Sequence, residues 1–150
     1  MKHFDHGGLS VEVPANWSES TTLIYGLAGP GGALDPFVCL ALSPRTEGET
    51  LEATLDSALG IARASREGFH LLERKESQLG GLPAMSARFT SRIDGRVVEE
   101  WVTFVVLRRQ GHDRTAMLSA MLREDAQAET RALCEQVLES VRFTPDPPSP

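Results

Sequence analysis

Apolar and polar residues along this chain recur with periods that predict most of its elements. The clearest stretch runs from Gly80 to Arg108. Pro83 to Ile93 and Arg96 to Leu107 read as two strands joined by Asp94-Gly95, a dipeptide that accepts the positive φ of a tight primed turn. In the first strand Met85, Ala87 and Phe89 fall on one face and Ser86, Arg88 and Thr90 on the other, the pattern of a half-solvated strand. In the second, Trp101, Val105 and Leu107 face one way while Val102, Phe104 and Val106 face the other, so this strand needs cover on both sides.

The remaining elements follow in order. Gly8 to Val13 alternates as a first strand, and Pro14-Ala-Asn-Trp17-Ser turns the chain, with Trp17 expected to plug one end of the core. Thr21 to Leu27 is a second strand, with Leu23, Tyr25 and Leu27 opposite Thr22, Ile24 and Gly26. Ala28 to Pro36 is a glycine-rich loop, and Phe37 to Leu42 is a third strand, apolar on both faces. Thr50 to Glu67 carries Leu51, Leu55, Ala58, Leu59 and Ala62 at helical spacing, with Thr50 as cap and Gly68 as the left-handed residue that ends it. Phe69 to Leu79 is a strand that Gly80-Gly81 turns into the hairpin. Gln110 to Asp113 is a turn, and Arg114 to Leu122 a strand with Met117, Ser119 and Met121 on one side. A second helix spans Asp125 to Val141, capped by Asp125, with Leu133, Val137 and Val141 as its stripe, widened by Cys134 and Leu138. Phe143 tacks the chain back onto the domain, and residues 144–150 form a disordered, proline-rich tail.

The order βββ-α-ββββ-α with short turns predicts one α+β domain over residues 1–143: a single, largely antiparallel, curved sheet of six to seven strands with two main helices. Two helices are expected to cover one sheet face and not both. The doubly apolar strands Phe37 to Leu42 and Trp101 to Leu107 then leave a second face in need of cover. Two readings stand side by side. The sheet curls, or copies of the chain associate, and hide that face; or it is a groove for an apolar peptide or helix.

Composition narrows the choice of partner. The formal net charge of −6, without a basic cluster beyond Arg108-Arg109, argues against nucleic acid and against an anionic membrane surface. The chain shows no secretory signal and no apolar run of transmembrane length, so a cytoplasmic location without membrane insertion is expected. Cys39 and Cys134 sit in apolar contexts and read as free thiols.

No motif carries a reaction. His3 and His6 lie three apart without further ligands nearby, and His70 and His112 read as solvated, so no metal and no cofactor is expected. Gly29-Pro-Gly-Gly32 lacks the Gly-Lys-Ser/Thr end of a phosphate loop and precedes a strand. Glu99 and Glu100, as neighbours on a strand, point to opposite faces and cannot work as a catalytic carboxylate pair. No catalytic residue is assigned and an enzymatic role is not expected; the remaining alternative is a small-ligand binder or hydrolase with a site no motif marks, which a deep polar pocket holding His70 or His112 beside a carboxylate would support.

The ordered set Gly8-Leu-Ser-Val-Glu-Val-Pro-Ala-Asn-Trp17, Thr50-Leu-Glu, Gly80-Gly-Leu-Pro-Ala84, the hairpin, and Leu138-Glu-Ser-Val-Arg-Phe143 resembles the DcrB-related family within the PsbP-like fold, over about residues 4–143. The absent lipobox departs from the lipoprotein members. In character the chain looks like the Eag chaperones of type VI secretion. That resemblance implies a cytosolic, non-enzymatic homodimer that holds apolar, transmembrane-type helices of a secreted effector before loading. For such a groove the candidate residues are Ile24, Val38 and Leu40, with Thr22 supplying a hydroxyl on the face of Ile24; the alternative is that each is a plain core position.

Overall fold

The computed structural model describes residues 1–6, 9–17, 20–28, 34–109 and 111–144. Its elements are β1 (Lys2–His6), β2 (Leu9–Val13), β3 (Thr21–Ala28), β4 (Leu34–Pro44), α1 (Leu51–Ser65), β5 (Glu67–Leu79), β6 (Leu82–Ile93), β7 (Arg96–Arg109), β8 (His112–Arg123) and α2 (Ala128–Glu139). β1 and β2 pair as a two-stranded sheet, and the others form a six-stranded antiparallel sheet in the order β3-β4-β8-β7-β6-β5. The α+β class and the two helices are as expected, with β1 as an additional strand. Its sequence, Lys2 to His6, mixes charged and aromatic residues and carries no clear alternation; cross-strand pairing with β2 supplies what periodicity could not show. Trp17, expected in the core, is exposed. The tail residues 145–150 and residues 29–33 of the glycine-rich loop lie outside the described residues.

Turn chemistry sets the registers. Asp94 and Gly95 both have positive φ, 52° and 75°, which pairs Ile93 with Arg96 and fixes the long β6–β7 ladder. The Thr50 side chain accepts a hydrogen bond from the Ala53 amide at 3.1 Å and starts α1. The helix ends at Arg66, which is already extended, so Gly68 is not its terminating residue and lies within β5. Asp125 does not cap α2. Both of its oxygens accept from Arg123 at 3.1 Å, and the cap position falls to Gln127, which makes no side-chain capping bond.

The buried row of α2 also differs from expectation. Cys134 is buried and Leu138 and Val141 pack into the core, while Leu133 and Val137 are exposed. Both pairs have i, i+4 spacing, so periodicity cannot tell adjacent rows apart; contact with the sheet decides between them.

The two helices cover opposite faces. Leu55, Leu59 and Ala62 of α1 pack on Met85, Ala87, Phe89, Val102 and Phe104. Burying a leucine of this kind contributes about 1.5–3 kcal/mol relative to exposure. Cys134 and Leu138 of α2 pack on Val38, Ala120 and Leu122, and Leu138 with Val141 and Phe143 reaches Ala84, Val105 and Leu118. Met85 and Ala84 are consecutive residues of one strand, so these clusters lie on different sides of the sheet. β7 is apolar on both faces because α1 lies over one, and Leu138 at the end of α2 with Val141 and Phe143 beyond it covers Val105 and Leu107 on the other. The expectation that both helices share a face is thereby corrected.

Candidate functional site

Because α1 lies over β5, β6 and β7 and α2 lies over β4 and β8, each face of the sheet has one half without a helix. The two open halves differ in chemistry.

On the α2 face, the uncovered half over β5, β6 and β7 is polar. Ser77, Ser86 and Thr103 join their hydroxyls across three strands at 2.6 and 2.8 Å. Beside them Arg88 donates to Glu99 Oε1 at 2.7 Å and lies over the Trp101 ring at 5.5 Å. Glu99 is only 3% exposed, and Arg131 of α2 donates to its second oxygen. Burial pushes the Glu99 carboxyl up, but hydrogen bonds and charge from Arg131 and Arg88 outweigh it and hold the group below the usual range. This triad ties α2 to the sheet.

On the α1 face, the uncovered half is mostly apolar. The cross-strand rows there read Thr22, Ala41, Met117; then Ile24, Cys39, Ser119; then Gly26, Phe37, Met121. Ile24 is 54% exposed, and Phe37, Cys39, Ala41, Met117, Ser119 and Met121 are half-buried. Cys39 at the centre of this floor and Ala41 and Ser119 beside it are small, as is Gly26 at one corner on the edge strand, and the other positions carry larger side chains. Burial pushes the Cys39 thiol up, offset in part by a hydrogen bond with Ser119. At the α1 C-terminal end the floor leads into a hollow of ≈500 Å³ lined by Phe37, Ile93, Val98 and Met121, with Arg96 and Arg123 among its polar residues. Glu100 pairs with Arg66 near this end; burial, offset in part by Arg66, raises its carboxyl pKa.

The four candidate residues separate. Ile24 and Thr22 lie on the open α1 face. Val38 and Leu40 lie on the opposite face, where Val38 is 5% exposed beneath α2. Grouping them is therefore corrected: Ile24 pairs with Cys39, not with Val38 or Leu40, so the odd-numbered residues of β4 share its face. Sequence reasoning did not bring Phe37, Met117, Ser119 and Met121 to this site. Their alternation was visible, but only the β4–β8 register places them beside Ile24. The free thiols Cys39 and Cys134 occupy opposite faces. Among the described residues no group of three or more His, Cys, Asp or Glu is placed to hold a metal ion. No helix among them is long and apolar enough to cross a membrane.

No family model matches the chain, and no curated protein matches it by sequence. Solved structures match its fold. PA94 from Pseudomonas aeruginosa, a protein of unknown function suggested to be a regulator, superposes with a TM-score of 0.71 at 15% identity, over 97% of this chain and 98% of that one. LpqN of Mycobacterium tuberculosis, involved in cell envelope biogenesis, superposes with a TM-score of 0.63 at 20% identity, over 89% and 82%. The type VI secretion immunity protein TplEi from Pseudomonas aeruginosa reaches a TM-score of 0.47 at 17% identity, over 75% of this chain and 40% of that one, a likeness too distant to build on. At these identities the likeness of the first two establishes a shared fold and nothing about activity.

Proposed function

We propose that this chain is a non-enzymatic chaperone or adaptor that seats an apolar helix of a client protein in the open half of the α1 face. The observation that carries the reading is the exposed Ile24 beside a half-buried floor of small and apolar residues, bordered by α1. A small-residue floor lets a helix approach the sheet closely. Thr22 and Ser119 offer hydroxyls to polar groups that an apolar helix still carries. A seat burying ~1,000 Å² of apolar area would contribute on the order of 25 kcal/mol before the costs of ordering and association are subtracted. A secreted effector with transmembrane-type helices as client, loading into type VI secretion, a cytoplasmic setting and a homodimeric state all rest on the family resemblance of the sequence.

The test is co-expression with effector genes from the same locus, followed by pull-down, and titration with a fluorescent poly-Leu/Ala helix. Ile24→Asp should weaken capture by roughly tenfold or more, while an exposed position of this kind changes stability by only about ±0.5 kcal/mol. Unchanged capture by Ile24→Asp would remove the reading. A second reading, self-association, is favoured by β3: it is an edge strand with Leu23, Ile24 and Tyr25 all exposed. Light scattering over concentration separates the two. A mass that doubles while apolar-dye binding and helix capture are lost supports self-association alone.

A further inference from the structure

The open half of the α1 face is bounded on its α1 side by a charged pair. One cross-strand row runs the width of the sheet there: Leu71, Phe89, Glu100, Met121, Phe37 and Gly26, from β5 to β3. Phe89 packs under α1, while Met121 and Phe37 belong to the open floor, so Glu100 stands at the boundary between them. Its side chain is 13% exposed, and Oε1 pairs with Arg66, the residue that ends α1. Oε2 accepts no hydrogen bond among the described residues. A carboxylate has about four acceptor sites, so a single partner leaves most of them unused. That shortage agrees with the raised carboxyl, where burial outweighs the help from Arg66. The hydroxyls of the floor are better supplied. Thr22 is exposed to water on the edge strand, and the Ser119 side chain shares a hydrogen bond with Cys39.

We infer that Glu100 is the polar anchor of the helix seat, and that the apolar helix it takes carries one carboxamide, Asn or Gln, whose N–H donates to Oε2. The inference rests on the helix-seat reading and names which helix fits the seat. Charge selects the group. Glu100 and Arg66 are neutral as a pair, so a client Lys or Arg would bring an unmatched cation beside Arg66. A client Asp or Glu would meet Glu100 with a like charge and no proton to donate. A Ser or Thr hydroxyl on a helix can spend its proton on the carbonyl four residues back. A carboxamide is uncharged and has two N–H donors to offer. Glu100 lies one strand beyond Met121, about 4.8 Å away, a gap that a Gln or Asn side chain can bridge from a helix seated on the floor.

Titration of the whole chain with two fluorescent poly-Leu/Ala helices, identical except for Leu or Gln at one central position, tests it. Removing the pair as a unit, Arg66→Met with Glu100→Leu, should weaken the Gln helix by roughly tenfold or more and leave the Leu helix within about twofold. Glu100→Gln keeps the shape without the charge and should cost the Gln helix less than the double variant does. Ile24→Asp should weaken both helices alike. Should the double variant fail to fold, amide shifts of the native chain decide the matter. Gln in place of Leu in the probe should move Glu100 and Met121 and leave Thr22 and Ala41, two rows away, unchanged. Equal losses of the two helices on removing the pair, or shifts at Glu100 that do not distinguish the probes, would overturn the anchor while binding that Ile24→Asp weakens keeps the seat. Binding of neither helix would overturn the seat, and the anchor with it.

Discussion

Glu99 and Glu100 are adjacent on β7 yet project to opposite faces, and their carboxyls are displaced in opposite directions. Glu99→Gln keeps the shape and removes the charge that Arg88 and Arg131 share. A hydrogen bond to a charged group contributes about 1.5–3 kcal/mol, but Arg88 is 44% exposed and its share is screened. The net cost at neutral pH is therefore about 2–3 kcal/mol, or roughly 4–12 °C in Tm for a domain of this size. The pH dependence follows from linkage. The Glu99 carboxyl lies below its reference of 4.5, so its stabilisation is complete above that pH and is lost as pH falls through the lower, folded value. Glu100 behaves in the opposite sense. Its folded pKa is raised above 4.5, so the native chain takes up that proton first and gains stability as pH drops from neutral toward 4.5. Urea unfolding of wild type, Glu99→Gln and Glu100→Gln between about pH 3 and 7 measures both slopes. The wild-type advantage over Glu99→Gln should shrink on the acid side, and the wild type should gain on Glu100→Gln as pH falls toward 4.5. Equal midpoints for wild type and Glu99→Gln at neutral pH, or a gap constant down to about pH 3, would refute the reasoning.

Two further predictions concern packing. Leu55 is fully buried where α1 meets the sheet, so Leu55→Ala should cost about 3–5 kcal/mol, or roughly 6–20 °C in Tm by calorimetry. Gly80 has a φ of 56°, and a Cβ there would stand 2.8 Å from Phe143 Cδ2. Gly80→Ala should therefore lose about 1–3 kcal/mol in denaturant unfolding. In a double-mutant cycle with Phe143→Ala the two losses should be less than additive, because the clash disappears while the backbone strain remains.

Much of the fold was legible because local chemistry and tertiary environment agree. Asp94-Gly95 and Gly80-Gly81 both sit at positive φ between strands whose alternation sequence alone displays. Thr50 caps the helix its position suggests. What escaped was decided by longer-range contact. Cys134 with Leu138 and Leu133 with Val137 are equivalent by spacing, and the sheet selects the first pair. Asp125 looks like a cap by residue type but is taken by Arg123. At the candidate site Ile24 and Thr22 were correctly put on one face, but their neighbours on β4 depend on a pairing offset of one residue, which no property of either strand states.

The lateral displacement of the two helices gives the open apolar half its significance. Had both packed on one face, the doubly apolar β7 would have left its whole second side to be explained. With one helix on each side, β7 is satisfied within the chain, and so is the α2-covered face of β4. The uncovered half of the α2 face is polar, with linked hydroxyls and the Arg88–Glu99–Arg131 triad, although Arg88 Nε and Trp101 Nε1 are buried there without a hydrogen bond. The uncovered half of the α1 face has no such means: Ile24, Phe37, Met117 and Met121 gain nothing from water, and the polar groups among them are few. On the proposed reading the partner belongs on this half of one face, three strands or roughly 10 Å across, and it is there that substitutions should separate binding from folding.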